Sequence, residues 1–168
     1  MNYKIIDNFL NKDLFKIFKE EIFNINQTPW YFREAQTEYS VNDKTDRGHF
    51  TLNFYYDLQH GYTYFDKYLY EIYKKLDIKA LVQARANLNL KEDNEKQKLF
   101  FHCDNDFACK TAIFYMNTNN GGTVLYEENS IKIDSIENRI LIFDSQIKHA
   151  SIRQTDEKRR IVININYF

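Results

Sequence analysis

Apolar positions in the first third of the chain follow a helical rhythm. Leu14, Phe15, Ile17, Phe18, Ile22 and Phe23 fall on one face of a 3.6-residue period, which predicts a helix ending near Asn24. Asn11 stands where an N-cap is needed, Asp13 places a negative charge at the positive end of the helix dipole, and Pro29 lies just past the stop. A short strand over residues 3–10 precedes it, leaving through Asp7-Asn8. A second amphipathic helix is predicted from about Tyr62 to Leu76, with Phe65, Tyr68, Leu69, Ile72, Tyr73 and Leu76 on one face. Both faces read as core. Residues 33–48 between the helices carry few apolar side chains and read as a long exposed loop, of the kind that forms lids or binding loops. His49 and His60 flank a strand or turn and read as surface residues.

After Asp77 the rhythm shortens. The spans 81–90, 99–102, 110–116, 123–127, 130–133, 139–143 and 160–168 read as short strands separated by turn residues, among them Asn117 to Gly122, Glu127 to Asn129, Glu137-Asn138 and Gln154 to Glu157. Two helices followed by many short strands predict a mainly β, α+β domain: a double-sheet jelly roll with the N-terminal helices packed on one face. Residues 1–80 form a helical support and lid region, and 81–168 the jelly-roll core, of one domain spanning 1–168.

Composition adds limits. The chain has 168 residues, enough for one domain and a core that needs no staple. Lys and Arg number 23 against 24 Asp and Glu, a net charge of −1, so there is no general field for nucleic acid or anionic lipid. No apolar run reaches membrane-span length and no secretory signal opens the chain, so a soluble, cytoplasmic protein is expected, without membrane or nucleic-acid partners. Cys103 and Cys109, six positions apart, fit neither a disulfide framework nor a C-x-x-C site.

Chemistry concentrates in four places. His102-Cys103-Asp104 is an H-x-D triplet whose outer side chains share a face if the segment is extended, while Cys103 points away. His149 follows 45 residues later at the end of another predicted strand. Two imidazoles and a carboxylate on one face of a metal is the facial arrangement of non-haem Fe(II) oxygenases. The last strand opens on Arg159-Arg160. Ile161, Ile163 and Ile165 form its apolar face, shared in parity by Arg159; Arg160, Val162, Asn164 and Asn166 face a polar interior. Arg160 is therefore the candidate for a bidentate pair with the far carboxylate of a co-substrate, with Arg159 as runner-up. Arg85 and Asn87, on alternate positions of the strand at 81–90, are possible pocket residues. Lys110 reads as a solvated strand end.

Together these residues resemble the 2-oxoglutarate- and Fe(II)-dependent dioxygenases, in their prolyl 4-hydroxylase-like branch, over residues 85–168. Phe101 to Asp104 is similar to the first two metal ligands of that family, and Ala112 to Asn117 to the strand whose tyrosine, here Tyr115, contacts the 2-oxoglutarate carboxylate. Asn120 to Leu125 is similar to the family's glycine turn, Leu141 to Ser151 to the strand ending at the distal histidine, and Arg160 to Phe168 to the arginine strand. The chain lacks the family's H-x-x-x-P arrangement, having Ile152-Arg153 after His149, which bears on the shape of the substrate mouth.

The resemblance implies Fe(II) on His102, Asp104 and His149, which are thereby the catalytic residues. It implies 2-oxoglutarate as co-substrate on Arg160 and Tyr115, O2 as oxidant and ascorbate as a candidate reductant. The implied reaction hydroxylates a C–H bond, with a prolyl or other residue of a peptide or protein as substrate and release of succinate and CO2. The same chemistry on a small molecule or nucleobase is the alternative, beside a non-catalytic jelly-roll binding or structural module and a cupin-type metalloenzyme without a keto acid.

Overall fold

The computed structural model describes residues 3–24, 26–93, 96–126 and 129–168. The turn expected around Glu127 and Glu128 lies outside them.

The first helix, α1 (Lys12–Phe23), starts where the pattern puts it: the Asn11 side chain accepts from the backbone N–H of Asp13 and Leu14. It buries Phe15, Phe18 and Ile22. The second, α2 (Asp66–Leu76), follows a 3-10 turn at Thr63–Phe65 and stops at Asp77, whose left-handed backbone (φ 55°) lets Ile78 N–H reach back to the Tyr73 carbonyl. Its Tyr68 stacks on Phe18 at 4.7 Å between ring centroids, joining the two helices.

The large sheet receives both. It comprises β1 (Tyr3–Ile6), β2 (Tyr31–Arg33), β3 (His49–Tyr56), β4 (Gln59–His60), β5 (Leu81–Leu90), β6 (Lys110–Tyr115), β9 (Arg139–Asp144) and β11 (Arg159–Tyr167), all pairings antiparallel. The order is β1-β9-β6-β11-β5-β3-β2, with β4 on β3. A smaller sheet, in the order β10-β7-β8, consists of β7 (Gly122–Leu125), β8 (Ile131–Asp134) and β10 (His149–Ile152). The architecture is the expected mainly β jelly roll with helices on one face. The first eighty residues also contribute strands, since β1 to β4 all join the large sheet.

The period-2 split of β11 sets its two environments. Ile161, Ile163 and Ile165 pack with Phe15, Phe18, Leu69 and Ile72 in the main core. Alanines stand opposite two of the isoleucines, Ala86 on one side of Ile163 and both Ala84 and Ala112 flanking Ile165, which leaves room for the helix aromatics above them. Full burial of one such isoleucine stabilises the fold by about 1.5–3 kcal/mol. On the other face Val162 joins Ile113, Tyr115, Leu125, Leu141 and Phe143 in a second core between the sheets. Arg159, on the helix side, donates to the Phe23 carbonyl at 3.1 Å and lies over the Phe23 ring, closing the end of α1. It faces away from the polar interior.

Two sequence expectations change. Residues 99–102 do not form a strand; His102 alone bridges to His149, through N–H···O bonds of 3.0 and 2.9 Å. The apolar run Leu99-Phe100-Phe101 mimics a short buried strand, but the segment touches the small sheet at a single residue. His149 opens β10 rather than ending a strand, because Ser145 to Lys148 turn the chain from the large sheet to the small one.

Candidate metal and co-substrate site

The single bridge between His102 and His149 brings the rings to 4.5 Å between centroids. In each, Nδ1 lies 3.1 Å from the carbonyl two residues back, Phe100 for His102 and Ile147 for His149. Those contacts assign the proton to Nδ1 and leave Nε2 as a bare lone pair. Both Nε2 atoms face one oxygen of Asp104, at 3.8 Å and 3.7 Å. One ligand atom from each of the three residues falls within 4.8 Å of the others.

The Asp104 carboxylate is aimed by donors on its other side. Thr111 Oγ1 donates to Oδ2 at 3.1 Å, Asn166 Nδ2 to Oδ2 at 2.9 Å, and Asn164 Nδ2 to both oxygens at 3.3 Å. Asn166 also donates to Thr111 Oγ1, so the donors form one network. Burial opposes ionisation of Asp104, yet His149, the Asn166 hydrogen bond, Arg85 and His102 hold it below the usual carboxylate range. Burial presses the His102 pKa below its ordinary value, with His149 acting in the same direction, so the ring is neutral at pH 7. An ionised carboxylate and two imidazole Nε2 atoms converge at distances too long for hydrogen bonds among them, which leaves a gap where a cation would satisfy all three. The donor set fits a divalent metal that accepts nitrogen and oxygen, Fe(II) included.

Beside the cluster is a cavity of about 60 Å³, lined by His102, His149, Arg85, Asn87, Thr123 and Arg160 among others. Arg160 is fully buried. It donates to Ser151 Oγ at 2.9 Å and to the Gly122 carbonyl at 3.1 Å, while its Nε has no partner. Among the described residues no carboxylate pairs with it, and burial lowers its pKa to about 10. A guanidinium in that state lacks a counter-charge, and the fork it presents suits a carboxylate. Tyr115 is buried beside it, its ring centroid 5.8 Å from the guanidinium carbon. Its hydroxyl donates to Thr123 Oγ1 at 2.8 Å, and Thr123 faces the cavity. Burial raises the Tyr115 pKa, so the phenol stays protonated. The residues present therefore have the chemistry that a small dicarboxylate such as 2-oxoglutarate asks for, an unpaired guanidinium across a cavity from a metal-ligand set.

Outside lies a wider cleft of about 740 Å³, bordered by Phe32, Arg33, Gln36, Tyr56, Arg85 and Asp104 among others. The segment 33–48 forms one wall of it and is more tied down than an exposed loop. The Asp46 side chain is buried, accepting from Gln36 N at 2.6 Å and Gly48 N at 2.9 Å. Arg153 lies 3.6 Å from Asp46 and also donates to the Gly48 carbonyl. Gly48 has φ +65°, and a Cβ there would sit 2.1 Å from the Arg33 carbonyl oxygen, so the turn requires glycine.

The structure thus brings His102, His149, Arg160, Arg85 and Asn87 around one cavity, with Asp104 against the two histidines on the side of the outer cleft and Tyr115 one hydroxyl removed. Cys103 turns aside to the Gln146 carbonyl, and Lys110 is exposed beside Asp144. His49 corrects the surface reading: it is buried, lines cavity and cleft, and has its pKa lowered to about 4 by burial, then by Arg85 and Arg153. Sequence reasoning assigned no role to Thr111, Thr123, Ser151, Asn164 or Asn166. The signal for the last two was present, as amides on the inward parity of an otherwise apolar strand.

Among the described residues no helix is long and apolar enough to cross a membrane. Neither a family model nor a curated protein matches the chain. Solved structures do: the fold is that of the 2-oxoglutarate/Fe(II) oxygenases, prolyl hydroxylases among them. A prolyl hydroxylase of Trichoplax adhaerens, solved in complex with a peptide fragment of the oxygen degradation domain of hypoxia inducible factor, superposes with a TM-score of 0.71 at 19% identity, over 98% of this chain and 83% of that one. An oxidoreductase of the 2OG-Fe(II) oxygenase family from Burkholderia pseudomallei gives 0.69 at 10% identity, over 98% and 84%. HygX of Streptomyces hygroscopicus, with nickel, 2-oxoglutarate and hygromycin B bound, gives 0.65 at 10% identity, over 98% and 82%.

Proposed function

We propose that this protein is a 2-oxoglutarate- and Fe(II)-dependent oxygenase that hydroxylates a C–H bond, on a prolyl or other residue of a peptide or protein, releasing succinate and CO2. The observation that carries the reading is Arg160. A buried guanidinium without an acidic partner stands across a small cavity from a cluster of two bare imidazoles and a carboxylate.

Iron(II) bound there, with 2-oxoglutarate and O2, supplies the oxidising chemistry, and ascorbate would keep the iron reduced. The chain's own residues bind, aim and exclude. His102 and His149 present Nε2, held in that tautomer by the Phe100 and Ile147 carbonyls. Asp104 supplies the anionic ligand, fixed by Thr111, Asn164 and Asn166. Arg160 takes the far carboxylate of 2-oxoglutarate. Tyr115, by occupying the Thr123 oxygen as acceptor, leaves the Thr123 hydroxyl proton for that same carboxylate. Val162 and Ile113 are apolar walls that keep water from this end. The outer cleft receives the substrate.

The peptide reading rests on likeness to the peptide-bound prolyl hydroxylase. A small molecule is the second reading, favoured by the likeness to HygX with hygromycin B bound. The test is succinate release from 2-oxoglutarate with Fe(II) and O2. It should be measurable in the natural protein and absent in Asp104→Ala; equal release by both refutes the assignment.

A further inference from the structure

Arg85 has no place in the scheme above. It stands on β5, opposite Asn164 of β11 and Asn53 of β3, with its side chain at the junction of the inner cavity and the outer cleft. Its Nε is sealed from solvent without a partner, and among the described residues the guanidinium makes no hydrogen bond or ion pair. Desolvation disfavours its charge most, and Arg33, on the same cleft, adds repulsion. The charge that stabilises it most is that of Asp104, which the metal would claim. Glu34 and Glu38 border the cleft too, yet neither pairs with it.

Charge balance sharpens the point. In the proposed complex the two charges of iron(II) and the one on Arg160 are met by Asp104 and the two carboxylates of 2-oxoglutarate. Among the described residues one cation of the site is left over, the half-buried Arg85 with its sealed Nε, and it faces the side from which the substrate arrives. Both guanidiniums line the inner cavity, but Arg160 is absent from the walls of the outer cleft, so of the two only Arg85 reaches a ligand there. Keeping a buried charge unpaired costs stability, and a ligand that arrives with the opposite charge recovers that cost.

We infer that Arg85 is the substrate-selecting residue of this site, and that the substrate presents a carboxylate to it, close to the carbon that is oxidised. Asn87, whose buried Oδ1 is unpartnered on the same face of β5, offers its amide beside the guanidinium to a neighbouring polar group of that substrate. The inference rests on the oxygenase reading and narrows it to acids: a free amino or imino acid, a chain-terminal residue, or a residue with an acidic side chain.

The test uses the full chain loaded with nickel(II) and 2-oxoglutarate, which does not turn over. Calorimetric titration with N-acetyl-proline, N-acetyl-aspartate and N-acetyl-glutamate, each as the acid and as the fully amidated form, reads the preference directly. At least one acid should bind about tenfold or more tighter than its amide, as a charge-assisted pair requires. Arg85→Met should erase that preference, Arg85→Lys should keep part of it, and both should bind 2-oxoglutarate as the natural protein does. Acids and amides that bind alike, or a loss of 2-oxoglutarate affinity in Arg85→Met, overturn the inference. A natural protein that takes up nickel but no 2-oxoglutarate refutes the oxygenase reading itself, and this inference with it.

Discussion

Replacing Arg160 by Met separates a ligand-binding arginine from a structural one. The side chain is fully buried, and its hydrogen bonds go to two neutral groups, Ser151 Oγ at 2.9 Å and the Gly122 carbonyl at 3.1 Å. Losing them leaves two acceptors unmet at about 1 kcal/mol each. Against that, the variant no longer buries a cation without a counter-charge, a penalty of several kcal/mol. Methionine keeps much of the volume and fills irregular space. The ligand-free variant is therefore expected to melt at or above the natural temperature. With 2-oxoglutarate the sign reverses, since breaking a buried ion pair costs about 3–5 kcal/mol, which is about 10²–10⁴-fold in affinity. Calorimetric titration of 2-oxoglutarate into metal-loaded protein, beside thermal melts without ligand, reads both quantities. Arg160→Lys, with a point charge in place of the fork, should fall between. Unchanged 2-oxoglutarate affinity combined with a collapse in melting temperature would refute the reasoning, because Arg160 would then be a structural group.

Two further outcomes follow from the same geometry. Asn166→Leu removes the shortest hydrogen bond to Asp104 and should weaken Fe(II) binding by about 10–100-fold, measured by competition with a chelator, while the histidines remain in place. The His49 pKa is depressed, so the folded state resists protonating it: stability is complete above the ordinary 6.5 and falls as the pH drops towards about 4. That gap is worth about 3 kcal/mol, so metal-free His49→Gln should lose correspondingly less melting temperature than the natural protein between pH 7 and 4.

Much of this was legible in the sequence because local rules governed it. Asn11 and the Phe15, Phe18, Ile22 spacing mark α1 to within a residue, and the parity of β11 alone separates Arg159 from Arg160. H-x-D and a distant histidine marked the three residues that converge. What escaped depended on long-range pairing. His102 meets His149 through one isolated bridge, which no periodicity reports, so 99–102 passed for a strand. β2 has three residues and an exposed pattern, so nothing in Tyr31–Arg33 distinguishes it from the loop that follows. His49 is buried because the tethered Asp46–Gly48 turn and Arg153 fold over it, and Asp46 meets Arg153 across more than a hundred residues of chain. Asn164 and Asn166 were seen as polar, but their role requires Asp104, sixty residues earlier, to be brought against them.

The measurement that tests the central claim most directly is anaerobic titration of the protein with Fe(II), then with 2-oxoglutarate, following the visible charge-transfer absorption of the chelate. The account predicts a band in the natural protein that needs both additions, disappears in His102→Ala and demands far more 2-oxoglutarate in Arg160→Met. Folded, iron-loaded protein that develops no band with 2-oxoglutarate would contradict it, and would leave a jelly roll that holds a metal for another purpose.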